Sequence, residues 1–241
     1  SPCSRTRSRA PGAPRNASDA KSLVTTATDA WNHNLLHLQA DQDTVAGTAT
    51  KQVTSKPVVG VGRFTSPDTM VNQIKRGVLD LIGGARPSIA DPYLPNKIRE
   101  NRVEDIRECI GCNICVSSDA FSIPLNCTQN PTISQEWKRG WHPEIVPSAT
   151  SKKDLLVAGA GPAGLEAALV LARAGHRVTV AEKSSELGGR SLLESRLFGL
   201  GAWSRVADYR LYQLRQMANV DLYTDSEIDA DAVSEMEVDH T

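Results

Sequence analysis

A glycine-rich turn between a short apolar run and a helical pattern constrains the fold of this 241-residue chain more than any other feature. Residues 155–158 predict a buried strand, residues 159–164 read Gly-Ala-Gly-Pro-Ala-Gly, and a helix is predicted from there to about Ala174. In this order the first glycine permits a tight turn, the second lets a pyrophosphate approach the backbone, and the third lets the helix pack on the sheet. Gly159, Gly161 and Gly164 are therefore candidate nucleotide-binding residues.

The residues that follow extend this pattern. Gly175 is expected to close the helix, residues 178–181 predict a second strand, and Glu182 stands at its end, eighteen residues after Gly164. A carboxylate in that position can accept hydrogen bonds from an adenosine ribose. Residues 151–241 are thus predicted to form a Rossmann-like domain that binds ADP or a dinucleotide, the alternative being a glycine-rich turn without a ligand. No third core strand is predicted before residue 241, so the domain is expected to be incomplete.

Four cysteines give the strongest chemical signal. Two residues separate Cys109 from Cys112 and Cys112 from Cys115, and eleven residues separate Cys115 from Cys127. Three closely spaced thiolates and a fourth from a loop suit the four-cysteine ligation of a [4Fe–4S] cluster, so residues 109–150 are predicted to be an iron–sulfur segment. Zinc more often takes two separated Cys-x-x-Cys pairs, and disulfides favour small secreted domains. Cys3 is isolated and has no predicted role.

Composition excludes several classes of protein. A net charge of −1 with 40% hydrophobic residues is typical of a soluble protein and indicates no nucleic-acid partner. The apolar runs are far shorter than the roughly 20 residues of a membrane span, so no membrane partner is expected. Cluster ligands must stay reduced, which favours the cytoplasm. Residues 1–50 stay unassigned, as a disordered or non-native segment whose Arg-, Ser- and Pro-rich start has the composition of a transit peptide.

Residues 51–108 have the pattern of a βαβ unit. Residues 57–62 predict a buried strand, Ser66 and Pro67 predict a helix start, and residues 78–82 predict a second strand. The helix is expected to bury a stripe of three apolar residues and to stop at a glycine. These positions are Met70, Val71, Ile74 and Gly77.

Each of these strands ends in glycine, and Arg86 follows the second. Backbone N–H groups at such exits can bind a phosphate, as the last two loops of a (β/α)8 barrel often do, and Arg86 can add a charge-assisted contact. The alternative is that the glycines serve tight turns and Arg86 pairs with a surface carboxylate.

Residues 51–233 resemble the iron–sulfur flavoprotein amine dehydrogenases, typified by trimethylamine, dimethylamine and histamine dehydrogenases. The resemblance is carried by the cysteine runs and by several further stretches. These are Gly-Val-Gly-Arg at 60–63, Ala-Arg-Pro-Ser-Ile-Ala-Asp-Pro at 85–92, Cys-Thr-Gln-Asn at 127–130, Arg-Gly-Trp-His-Pro at 139–143 and Gly-Leu-Gly-Ala-Trp-Ser at 199–204.

The resemblance implies an α/β fold in three parts. Residues 51–108 would be the C-terminal part of an FMN-binding (β/α)8 barrel, followed by the iron–sulfur segment and the incomplete Rossmann-like domain. A small amine would reduce FMN, electrons would pass singly to the cluster, and an electron-transferring flavoprotein would collect them. The FMN phosphate would be held by Gly62, Arg63, Gly84, Ala85 and Arg86. The four cysteines would hold the cluster, while Gly159, Gly161, Gly164 and Glu182 would hold ADP, FAD or NAD(P).

Asp119 bears on the substrate. Trimethylamine dehydrogenase has a tryptophan four residues after its third cluster cysteine, and a carboxylate there would instead favour a hydrogen-bearing ammonium or imidazolium, as in histamine dehydrogenase. The alternative is that Asp119 caps a local turn.

The chain also departs from these enzymes. A (β/α)8 barrel takes roughly 250 residues, so most of it is expected to be missing, and the catalytic residues are unknown. We therefore expect a fragment that is inactive on its own, with a homodimer expected only of the full-length parent. Two alternatives stay open. One is an NAD(P)H-dependent enoate or 2,4-dienoyl-CoA reductase, although those enzymes usually have three residues between the second and third cysteines. The other is a non-catalytic electron-transfer or nucleotide-binding module.

Overall fold

The computed structural model describes residues 55–235, which divide into two compact units between Ala85 and Arg86. The first unit contains strand β1 (Val59–Val61), helix α1 (Pro67–Lys75) and strand β2 (Leu81–Gly83). The two strands are parallel, with Val59 opposite Leu81 and Val61 opposite Gly83. The βαβ order predicted for this region is therefore present. The predictions for residues before 55, including those for Cys3 and for residues 1–50, concern a part of the chain outside the described residues.

The strands of the first unit are not buried as predicted. Val59 and Val61 are 53% and 48% exposed, whereas Val58, immediately before β1, is 8% exposed. Alternate residues of a strand point to opposite faces, and Gly60 lies on the covered face, where an added Cβ would approach Leu79 Cδ1 to 2.2 Å. The core is built from residues that flank the strands. Its members are Val58, Phe64, Val78 and Leu79, with Met70 and Ile82 packed against them.

Helix α1 starts and stops as predicted but buries a different face. Ser66 is the N-cap, without a side-chain capping bond, and Pro67 is the first helical residue. Gly77 ends the helix with φ +68°. Of the predicted stripe, Val71 and Ile74 are 44% and 40% exposed, whereas the polar Gln73 is 4% exposed. Met70 and Gln73, one turn apart, therefore form the inner face.

The second unit begins with short helices and continues into strands that alternate with helices. In chain order its elements are α2 (Ala85–Ala90), α3 (Leu94–Arg99), a 3₁₀ turn (Val103–Asp105), α4 (Ile114–Ala120), α5 (Glu136–Arg139), β3 (Asp154–Ala158), α6 (Pro162–Arg173), β4 (Arg177–Ala181), α7 (Gly189–Ser195), a 3₁₀ turn (Gly201–Ser204), α8 (Arg205–Arg215), β5 (Val220–Tyr223) and α9 (Ala230–Glu235). Within residues 55–235, none of the helices has the length and apolarity needed to cross a bilayer.

The sheet of the second unit has three parallel strands in the order β3-β4-β5. Leu155 pairs with Val178, which pairs in turn with Val220. The predicted strand, helix and strand at 155–181 are confirmed, but the expectation that no third strand would form is wrong. Helices α6 and α8 pack together over this sheet. Their shared core includes Leu165, Ala168, Leu169, Val178, Val180, Ala207, Leu211 and Leu214.

Candidate cofactor-binding site

The glycine turn between β3 and α6 has the geometry that its sequence predicted. Gly159 has φ +97°, a conformation that residues with a Cβ rarely adopt. A Cβ on Gly164 would lie 2.0 Å from the Gly159 carbonyl oxygen, so only glycine allows the helix to sit this close to the strand. Gly161 is the N-cap of α6, and a Cβ there would have no heavy atom within 4 Å apart from its chain neighbours and the backbone of the helix itself. The turn thus leaves open space where a phosphate could meet the helix N-terminus.

Glu182 lies beside this turn, at the end of β4. Its side chain is 8% exposed, and its Oε2 accepts a 2.8 Å hydrogen bond from the Ala160 N–H. Oε1 accepts bonds from the Ser184 N–H and hydroxyl. Burial alone would raise the pKa of Glu182, but these donors hold it below its ordinary value. The structure therefore brings an ionised carboxylate to the glycine turn.

A second pair of glycines also contacts the turn, and the sequence interpretation did not assign it a role. Gly188 and Gly189 have φ +126° and +53°. The Gly188 N–H donates to the Ala160 carbonyl at 2.9 Å, and a Cβ on Gly189 would lie 3.0 Å from the Gly161 Cα. Two adjacent glycines shortly after the second strand were the available signal for this contact.

All four predicted ligand cysteines line one narrow pocket in the second unit, together with Arg86, Asn113 and Thr128. Cys115 is buried on α4, and the other three are partly exposed. The loop between Cys109 and Cys115 turns through positive φ angles at Gly111 (+72°) and Asn113 (+59°). The Cys112 Sγ lies 3.1 Å from the Thr128 Oγ1, which joins the cysteine run to the Cys127 segment.

The structure bears on the disulfide alternative for these cysteines. The cysteines at 109, 112, 115 and 127 are free, so none forms a disulfide in the structure. Within residues 55–235 no three Cys, His, Asp or Glu side chains are grouped to hold one metal ion. Tetrahedral zinc needs four donors on a single ion, whereas a cubane is held by thiolates on its separate irons. The choice between a cluster and zinc therefore rests on the spacing of the cysteines in the sequence.

Cys127 lies in a more apolar setting than a surface thiol. Burial raises the pKa of its thiol, while backbone N–H groups of Gln129 and Asn130 act in the opposite direction. N–H groups directed at a sulfur favour its thiolate form, and hydrogen bonds to ligand sulfurs influence the potential of an iron–sulfur centre. The loop therefore carries donors suited to a metal-bound thiolate.

Arg86 and Asp119 have different relations to this pocket. The Arg86 Nη1 donates a 2.8 Å hydrogen bond to the Asn113 Oδ1, so its guanidinium is held on the cysteine loop. Asp119 lies on the last turn of α4 with an exposed side chain, and its carbonyl accepts a hydrogen bond from the Ser122 N–H.

The predicted phosphate-binding residues of the first unit follow its two strands. Because β1 and β2 are parallel, Gly62 and Arg63 leave the sheet at the same edge as Gly84 and Ala85. The Gly62 N–H donates to the Gly83 carbonyl at 3.4 Å. Gly62 is buried, Arg63 and Gly84 are half-buried, and Ala85 is exposed.

A buried ionic group connects the cysteine segment to the nucleotide-binding half. Arg107 donates to both carboxylate oxygens of Glu166, at 3.2 and 3.3 Å, and the Arg210 Nε lies 2.7 Å from the Glu166 Oε2. The side chains are 3%, 17% and 3% exposed for Arg107, Glu166 and Arg210. Burial alone would raise the pKa of Glu166, but the two guanidinium groups hold it below its ordinary value. The sequence interpretation missed this group, because its members are far apart in the chain.

The chain matches two protein families. Residues 12–105 match the NADH:flavin oxidoreductase / NADH oxidase family, and residues 154–210 match the FAD dependent oxidoreductase family. The first match begins upstream of residue 51, where the sequence interpretation placed the start of the barrel part. In the sequence, the cysteines at 109–127 therefore lie between a segment that matches a flavin oxidoreductase family and one that matches an FAD-dependent family.

Individual relatives point to the same class. Dimethylamine dehydrogenase from Hyphomicrobium sp. (strain x) is 51% identical over 168 residues, which cover 69% of this chain and 23% of that protein. The structure of 6-hydroxypseudooxynicotine amine oxidase from Pseudomonas geniculata N1 is 57% identical with a TM-score of 0.80, covering 84% of this chain and 30% of that one. Histamine dehydrogenase from Rhizobium sp. 4-9 is 54% identical with a TM-score of 0.77, covering 80% and 28%.

The relatives share one class of activity in their names, the oxidation of amines. The chain is homologous to flavin-dependent oxidoreductases that act on amines. Part of it, residues 12–105, matches the NADH:flavin oxidoreductase / NADH oxidase family, and the chain spans only about a quarter of the length of the dimethylamine dehydrogenase that it matches. A 2-naphthoyl-CoA reductase structure is also similar, with 34% identity and a TM-score of 0.73.

Proposed function

We propose that this chain supplies the iron–sulfur and nucleotide-binding part of an FMN-dependent enzyme that oxidises a small amine. The observation that carries the proposal is the single pocket lined by Cys109, Cys112, Cys115 and Cys127, in a chain 57% identical to an amine oxidase. When bound, FMN would accept electrons from the amine, and a [4Fe–4S] cluster would pass them singly to an acceptor such as an electron-transferring flavoprotein.

The chain's own residues have three roles in this proposal. The four cysteines hold the cluster, with Cys127 presented on a loop that carries backbone donors. The N–H groups of Gly62, Arg63, Gly84 and Ala85, in the loops after β1 and β2, hold the FMN phosphate, whereas the Arg86 side chain is engaged with Asn113 on the cysteine loop. The glycine turn at Gly159, Gly161 and Gly164 holds the pyrophosphate of ADP, FAD or NAD(P), and Glu182 orients the ribose.

Asp119 is the one substrate-contact candidate. An exposed carboxylate on α4, four residues after Cys115, can pair with an ammonium or imidazolium that still carries hydrogens. We infer a histamine-like amine in preference to a quaternary or fully methylated one, because pairing through hydrogen bonds requires such hydrogens. The methylated amines stay as the second substrate class.

A carbon–carbon double-bond reductase is the closest alternative enzyme. The spacing of two residues between Cys112 and Cys115 disfavours it, as does the lower identity of 34% to the 2-naphthoyl-CoA reductase structure. A non-catalytic electron-transfer module is favoured by a different observation. The cysteine pocket and the glycine turn are both built from residues of the second unit, after Ala85.

The test is anaerobic reconstitution of the purified chain with iron and sulfide. We expect about four irons per chain and an electron paramagnetic resonance signal from the reduced cluster. Stoichiometric zinc without iron would overturn the redox proposal. Uptake of FMN, measured by absorbance after dialysis, separates the enzyme part from the module, because a module would bind iron and ADP but no FMN. Turnover of an amine by the chain alone would contradict our expectation that it is inactive by itself.

A further inference from the structure

The ionic group formed by Arg107, Glu166 and Arg210 carries an excess positive charge. Arginine stays protonated in proteins, and the two guanidinium groups keep Glu166 ionised, so two positive charges share one negative charge. The arginines are each 3% exposed, which leaves little solvent to compensate the difference. A buried charge that is not paired is strongly destabilising, so this group favours a negative charge nearby.

Both arginines also hold the backbone that carries the fourth cysteine. The Arg107 Nη1 donates to the Gln129 carbonyl at 2.7 Å. The Arg210 Nη1 donates to the Gln129 side-chain oxygen at 3.0 Å, and its Nη2 donates to the Thr128 carbonyl at 3.4 Å. Thr128 and Gln129 follow Cys127 directly and line the cysteine pocket. Arg107 itself precedes Cys109 by two residues.

Glu166 fixes the two arginines from the opposite side. It lies on α6, two residues after Gly164. Both of its carboxylate oxygens accept hydrogen bonds from Arg107, and its Oε2 also forms an ion pair with Arg210. Arg107 also stacks over the ring of Tyr209, with 4.5 Å between Cζ and the ring centroid. These contacts leave the guanidinium groups little freedom to move relative to the Cys127 loop.

We propose that Arg107, Arg210 and Glu166 are positioning residues that fix the Cys127 loop and set the electrostatic potential of the cysteine pocket. The proposal rests on the iron–sulfur assignment made above. Four thiolate ligands leave a [4Fe–4S] cluster with a net negative charge that increases on reduction, and net charge and hydrogen bonding help to set its potential. The excess positive charge therefore favours the reduced form, and Glu166 moderates this effect.

The test compares two variants of the reconstituted chain, one that loses a negative charge and one that loses a positive charge. Glu166→Gln removes a negative charge and should make the cluster easier to reduce, while Arg210→Gln removes a positive charge and should make it harder to reduce. We expect a roughly tenfold change in the ratio of reduced to oxidised cluster at a fixed potential, about 59 mV for one electron. Arg210→Lys keeps the charge and should restore most of the wild-type potential. The measurement is a redox titration followed by electron paramagnetic resonance.

The control is Glu194→Gln, which removes a carboxylate whose partner, Arg190, is 88% exposed. It should leave the cluster potential unchanged. Unchanged potentials in Glu166→Gln and Arg210→Gln at full iron content would overturn the inference, as would shifts of the same sign in both. If Arg210→Gln does not fold, Glu166→Gln measured against the wild-type chain still tests the sign, because only an easier reduction of the cluster agrees with the inference. A wild-type chain that takes up no iron would instead overturn the proposed function itself.

Discussion

The Nζ atom of Lys97 lies 2.7 Å from the Oδ2 atom of Asp91, and both side chains are 1% exposed. Lys97 also donates to the Asp105 carbonyl, and the same Asp91 oxygen accepts the Arg107 N–H at 2.9 Å. This pair thus connects helix α3 to the segment that leads into the cysteines.

Substitution of Lys97 should destabilise the fold strongly. Lys97→Met leaves the Asp91 carboxylate buried without its cation, which typically costs about 3–5 kcal/mol. Urea unfolding followed by circular dichroism measures the change in the free energy of unfolding. Arg99→Met on the same helix is the control, because Arg99 is 74% exposed, and it should change stability by less than about 1 kcal/mol. Equal effects of the two substitutions would contradict the importance of the buried pair.

Gly164→Ala should disrupt the glycine turn. The added Cβ would lie 2.0 Å from the Gly159 carbonyl oxygen, and the helix must move away from the strand, at a cost of about 1–3 kcal/mol. We also expect weaker binding of ADP, measured by isothermal titration calorimetry. Gly201→Ala is the matched control, because its Cβ would have no such neighbour within 4 Å. A Gly164→Ala chain with wild-type stability and affinity would show that the close approach is not needed.

Stability should decrease in acid through Glu166. Its pKa is below the ordinary value near 4.5 in the folded protein, so near that pH the unfolded chain binds more protons. The stabilising contribution is therefore present above about pH 4.5 and is lost as the pH falls through the folded pKa. Unfolding curves at a series of pH values measure this slope, and Glu166→Gln should flatten it. An unchanged slope in the variant would show that other carboxyl groups account for the acid sensitivity.

Removal of the fourth cysteine should impair cluster binding. Cys127→Ser leaves three thiols at the pocket, and the iron content after anaerobic reconstitution should fall clearly below about four per chain. Cys3→Ser is the control, since Cys3 stands far outside the cysteine run and should be dispensable. Iron and sulfide analysis gives the result directly. Equal iron loss in both variants would show that the loss does not depend on the pocket.

Local signals predicted the first strand, the glycine turn and the first long helix of the second unit well. The strand, turn and helix at 155–174 depend on neighbouring residues. Gly159 adopts a positive φ and Gly164 allows a close approach of helix and strand, which are the roles that the spacing of the glycines predicted. Strand β5 was missed because only Val220 and Leu222 suggest a strand, and its stability comes from pairing with β4, a long-range contact. The four cysteines were predicted to meet, and they line one pocket.

Long-range packing explains what the sequence did not predict. In α1 the apolar residues Val71 and Ile74 are exposed while Gln73 is buried, because the position of the core relative to the helix decides which face is covered. The contact between Arg107 and Glu166 joins residues 59 positions apart. Neither residue has a local pattern that distinguishes it from a surface charge, so only the folded structure shows that they meet.

The exclusion of solvent from the Arg107–Glu166–Arg210 group has a consequence for its response to salt. Dissolved ions screen exposed charge pairs, such as Arg196 with Glu186, far more than buried ones. The electrostatic contact that joins the cysteine segment to helices α6 and α8 should therefore keep most of its strength at high salt concentration. A wash at high ionic strength should therefore remove contaminants held by surface charge from this chain while the contact between Arg107, Glu166 and Arg210 stays intact.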